Sequence, residues 1–63
     1  MSEPKVGDPI YVIAGDLTAT IIQVIGYNPS YHAWIVRVDW NGQTMRVPIV
    51  QGESDRWIER VRR

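Results

Sequence analysis

Residues 33–50, AWIVRVDWNGQTMRVPIV, decide the fold of this chain. Asn41-Gly42 is the dipeptide favoured in a two-residue type I′ turn, because both central residues of that turn need positive φ. A reversal there fixes the register. Trp40 faces Gln43, Asp39 faces Thr44, Val38 faces Met45, Arg37 faces Arg46, Val36 faces Val47 and Trp34 faces Ile49. Side chains alternate across a strand, so these pairs divide between two faces. Trp34, Val36, Val38, Met45, Val47 and Ile49 form the expected core face. Ile35, Arg37, Asp39, Thr44, Arg46 and Pro48 form the outward face.

Upstream, Met1 to Lys5 reads as a flexible N-terminal tail, and residues 6–63 as one domain. Val6-Gly7-Asp8-Pro9 is a turn that launches a first strand from Ile10 to Ala14, closed by Gly15-Asp16. The second strand runs from about Thr18 to Tyr27 and is rich in β-branched residues, which suit a pleated surface. Strict alternation puts Ala19, Ile21, Gln23 and Ile25 on one face, and Thr20, Ile22 and Val24 on the other. Both faces carry apolar groups, so the strand must be covered twice, either by bending to serve two sheets or by a partner subunit. Gly26 is the expected place for a bend or bulge. Tyr27 to His32 is a loop around Asn28-Pro29. Downstream of the hairpin, Gln51 to Asp55 is polar and turn-like. Arg56 to Arg63 accommodates one helical turn and a last strand.

The resulting layout is all-β: five short strands, tight turns and a short helical turn before the last strand. In about sixty residues this suggests a small barrel. Val6-Gly7-Asp8 with its strand, the long second strand, the Asn-Gly hairpin and the closing Trp57-Ile58-Glu59-Arg60-Val61 resemble the SH3-like barrel group, which includes Tudor and KOW modules. The same layout is similar to the type II plasmid dihydrofolate reductases, which work as tetramers around a shared pore. Their active strand carries Val-Gln-Ile-Tyr, where this chain has Met45-Arg46-Val47-Pro48. The resemblance therefore implies the architecture, with a pore-type reductase as the third functional reading.

Composition narrows the function. The chain has 63 residues, no cysteine, one histidine and no net charge. Without thiolates it can form neither disulfides nor a cysteine metal site. His32 alone is a poor ligand set for a metal, and catalysis needs nucleophile, base and orienter together. No catalytic residue, metal or cofactor is expected, and the chain reads as a non-enzymatic binding module. No run is long and apolar enough to span a bilayer, and MSEPKVGD lacks a hydrophobic signal core. A cytoplasmic protein without membrane association is the expectation.

Charge is unevenly distributed. Lys5 against Glu3, Asp8 and Asp16 leaves −2 in residues 1–36. Six arginines against Asp39, Glu53, Asp55 and Glu59 leave +2 in residues 37–63. The guanidinium fork suits phosphates and carboxylates. Arg37, Arg46, Arg60, Arg62 and Arg63 are therefore the candidate nucleic-acid or anion-binding set. Trp40, Tyr27 and Tyr31 are candidate aromatic contacts, for stacking or for a cation cage of the Tudor kind. DNA or RNA, or an acidic protein surface, is the expected partner. The alternative is homo-oligomeric assembly or protein interaction through the two-sided apolar strands around Tyr11, Ile13, Ile21 and Ile25.

Overall fold

The computed structural model describes residues 3–13 and 15–60. Five strands close into a barrel in the order β1-β2-β3-β4-β5. They are β1 (Pro9–Val12), β2 (Leu17–Asn28), β3 (Ala33–Trp40), β4 (Gln43–Gln51) and β5 (Trp57–Glu59), with a single 3-10 turn, Glu53–Asp55, before β5. Successive strands pair antiparallel. Because an odd number of alternating strands must close on itself, the seam between β1 and β5 is parallel, with Ile10 opposite Trp57 and Tyr11 opposite Ile58. This all-β closed barrel with its short turn before the last strand is compatible with a small SH3-like barrel.

The hairpin follows its turn chemistry. Asn41 and Gly42 have φ of 51° and 82°, the left-handed pair that a type I′ reversal requires. The β3–β4 register matches the expected pairs, from Trp40 opposite Gln43 to Trp34 opposite Ile49. Val36, Val38, Val47 and Ile49 are buried, while Trp34 and Met45 pack against the core from its edges. Burial also resolves β1. Ile10 and Val12 face inward, and Ile13 lies in the turn beyond the strand, exposed. The strand thus ends earlier than Ala14, which lies outside the described residues.

β2 departs from simple alternation. Its pairing with β3 slips twice, between Ile21 and Gln23 and between Val24 and Gly26. Each slip inserts one unpaired residue, Ile22 and then Ile25. Ile21 stays fully buried. After the first bulge Val24 turns inward and packs on the core, while Gln23 and Ile25 face out. The face expected to hold Ala19, Ile21, Gln23 and Ile25 is therefore split. Without the slip, alternation would aim the Gln23 amide at an apolar core, where an unsatisfied amide costs several kcal/mol or about 1–3 by mutational measure. The second bulge falls beside Gly26, as expected for that residue.

Trp57 opens β5 and is buried in the core cluster with Ile10, Val12, Ile21 and Ile49. The turn before it carries Ser54 and Asp55 at φ of 58° each. It is clasped by the Gly52 amide donating to the Arg56 carbonyl at 2.7 Å. At the other end of the chain Pro4 is buried, and the Lys5 amide donates to the Asp8 carboxylate at 3.0 Å. No helix of the described residues is long and apolar enough to cross a membrane.

Candidate functional site

The closed barrel leaves one broad outer face on β2, β3 and β4. Strand register sets its rows. Thr20, Asp39 and Thr44 form one; Gln23, Arg37 and Arg46 form the next; Gly26, Ile35 and Pro48 form a third. Arg37 and Arg46 sit directly opposite each other and both are exposed. Counting outward from a two-residue turn, they fall at a non-hydrogen-bonded pair, where side chains approach most closely, with Cα atoms about 4.5 Å apart. No carboxylate of a described residue lies within 4.0 Å of either guanidinium. Asp39 and Glu59 do not thread between them. The like-charge juxtaposition, unfavourable by ~0.2–1 kcal/mol, thus stands open to solvent.

Arg60 reaches the same face. Its amide donates to the Pro48 carbonyl at 2.8 Å, extending the β4–β5 ladder by one residue past Glu59. Alternation from buried Trp57 puts Arg60 on the outer side, diagonal to Arg46 across Pro48. Tertiary structure therefore brings Arg37, Arg46 and Arg60 to one surface. Arg62 and Arg63 lie outside the described residues.

Beside Arg46 the second bulge opens a shallow groove of about 390 Å³, lined by Ile25, Gly26, Tyr27, Asn28, Pro29, Ile35 and Arg46. Its upper wall is the β2–β3 turn. Asn28 builds that turn: its Oδ1 accepts from the Ser30 amide at 2.9 Å and the Tyr31 amide at 3.3 Å. The Asn28 carbonyl also accepts from the Tyr31 amide at 3.2 Å, and the Pro29 carbonyl accepts from the His32 amide at 3.3 Å. His32 takes a left-handed φ of 54° to close the turn. Tyr27 is braced edge-on against Trp34, with ring centroids 5.6 Å apart and planes at 68°. Half of its surface still faces solvent.

The three candidate aromatics do not gather. Tyr27 is opposite Trp34 at the start of β3, and Tyr31 is in the adjoining turn. Trp40 ends the same strand six residues later, about 20 Å away at a strand's rise per residue. Trp40 also has the parity of the buried Val36 and Val38, not that of Arg37. Only Tyr27 shares the groove with an arginine. Ile25, Ile35, Asn28 and Gln23 belong to this surface; Asn28 and Gln23 were not among the expected site residues, whereas Ile25 was expected in an assembly surface and Ile35 on the hairpin's outward face. The outward turn of Gln23 and Ile25 depends on the first bulge, and Gln23 within the apolar run 21–25 is the one sequence signal for it.

Among the described residues no group of three or more His, Cys, Asp or Glu side chains is placed to hold a metal ion. One phenol is electrostatically perturbed. The Tyr11 hydroxyl donates to the Asp16 carboxylate at 2.6 Å. That hydrogen bond, then partial desolvation and the Asp16 charge, raises its pKa above the ordinary 10.0. The pair clasps the β1–β2 turn and is remote in register from the arginine face. Comparison with protein-family models, curated proteins and solved structures finds no match to this chain.

Proposed function

We propose that this barrel is a non-enzymatic binding module for single-stranded nucleic acid, using the outer face of β2, β3 and β4. The observation that carries the reading is the juxtaposition of exposed Arg37 and Arg46 with a groove that holds Tyr27. Guanidinium forks bind phosphate oxygens, and an aromatic face beside them stacks a base; together these are the ordinary parts of a single-strand site. A duplex would offer the phosphates but not an unstacked base. The neutral overall charge supports local recognition by one face over general coating of a polyanion.

The test is the salt dependence of binding to a labelled single-stranded oligonucleotide, read by anisotropy. Each phosphate neutralised contributes about −0.7 to the slope of log K against log salt on single strands. With Arg37, Arg46 and Arg60 engaged, the slope should be near −2 (about −0.7 for each contact). Replacing both Arg37 and Arg46 by Gln should remove about 1.4 of it. Binding that is indifferent to salt, or unchanged in the double variant, defeats the proposal.

A second reading, assembly with further copies of the chain, is favoured by a specific observation. The bulges turn Ile22 and Ile25 outward, 41% and 46% exposed. Ile21, expected to help form that surface, is fully buried and takes no part. Tyr11 is tied to Asp16. Sedimentation at high concentration separates the two readings: a strict monomer rules out assembly.

A further inference from the structure

The groove beside Arg46 has a chemical bias that goes further than charge. Its polar side chains are Tyr27, Asn28 and Arg46. A guanidinium only donates. An asparagine amide normally offers both an acceptor and donors, but here Oδ1 already accepts from the Ser30 and Tyr31 amides. Those two bonds occupy both lone pairs of the oxygen and leave the Asn28 NH2, a pure donor, for a ligand. The Tyr27 hydroxyl adapts either way, and its ring offers a stacking surface. The remaining wall, Ile25, Pro29 and Ile35, is apolar. The groove is therefore a flat, partly apolar slot whose committed polar side chains all donate. Its volume of about 390 Å³ is at the small end of the range for small-molecule sites.

We infer that this groove receives a keto nucleobase, namely uracil, thymine or guanine, in preference to an amino base. The inference rests on the single-strand reading above. Keto bases present a carbonyl where cytosine and adenine present an exocyclic NH2. A carbonyl meets the donors of Asn28 and Arg46 with hydrogen bonds. An NH2 in the same place sets donor against donor and leaves both desolvated. Arg46 lines the groove and stands directly opposite Arg37, which is two residues along β3 from the groove's Ile35, so one base in the slot puts its own phosphate near the arginine pair.

The experiment compares oligodeoxyuridine with oligodeoxycytidine of equal length, and oligonucleotides carrying inosine with those carrying adenosine, at one fixed salt concentration. Within each comparison the bases keep their size and differ in the keto or amino group and in whether the adjacent ring nitrogen carries a hydrogen. The keto member should bind roughly tenfold tighter. Asn28→Asp retains an oxygen acceptor for the Ser30 and Tyr31 amides but replaces the donating NH2 by a second acceptor. It should bring the uridine-to-cytidine ratio to one or below. The added charge weakens both ligands alike and cancels in the ratio. Equal affinity for keto and amino members in the wild type overturns the inference while leaving the salt-sensitive reading intact, as does an Asn28→Asp ratio equal to that of the wild type. Absence of binding to every strand overturns both.

Discussion

At the scale of single residues, the Arg37–Arg46 pair sets stability against binding. Two like charges at a close cross-strand position cost ~0.2–1 kcal/mol, and an opposite-charge pair gains a similar amount. Arg37→Glu should therefore raise stability by about 0.5–1 kcal/mol. That raises the thermal midpoint by roughly 2–8 °C for a domain of this size. The same change should abolish oligonucleotide binding. A variant that is less stable than the parent would show that the arginines are not opposed across the hairpin. Tyr11 gives a second test at this scale. Its raised pKa means that the hydrogen bond to Asp16 stabilises the fold fully below the unfolded tyrosine pKa. That contribution is lost as pH rises through the higher folded value. In a spectrophotometric titration Tyr11 should ionise above the ordinary tyrosine range. Asp16→Asn, which tolerates the left-handed backbone at residue 16 (φ 49°), should bring it down. An unshifted titration in that variant contradicts the contact.

At the scale of elements, β2 is where the sequence and the fold part company. Its alternation is plain for Ala19 and Ile21, then broken by two insertions. Ile21 and Ile25 are chemically identical, yet one is fully buried and the other nearly half exposed. Ile21→Val should cost about 0.5–1.5 kcal/mol as a core truncation. Ile25→Thr should stay within about 0.5 kcal/mol, as a surface change does. Urea unfolding of the two variants decides the matter. Equal losses would mean that β2 runs without its bulges. β3 and β4, by contrast, were legible residue by residue, because a two-residue turn admits one register and one partition into faces.

At the scale of the whole molecule, closure is the decisive event. Nine buried residues drawn from all five strands make one cluster, and β5 contributes to it through Trp57 alone. A domain this small has little stability to spare, commonly no more than about 3–5 kcal/mol without covalent staples. Removing a buried tryptophan side chain costs about 3–5 kcal/mol. Trp57→Ala should therefore unfold the chain at room temperature, seen as loss of the near-ultraviolet and β-type circular dichroism. Survival of a cooperative thermal transition near that of the parent would show that β5 is dispensable to the barrel. The arginine face has the same dependence on closure, because Arg60 joins Arg37 and Arg46 only when β5 lies along β4.

The amino-acid sequence by itself determined the all-β class, the Asn41-Gly42 reversal, the opposition of Arg37 to Arg46 and the inward set of the hairpin. Each of these follows from local φ preferences and a two-residue period, which act over a few positions. Only the tertiary structure decided the first bulge at Ile22, the placement of Trp57 in β5, the separation of Trp40 from Tyr27 and the groove beside Arg46. Those features follow from closing five strands on a core that excludes Gln23, a constraint imposed by residues far apart in the chain.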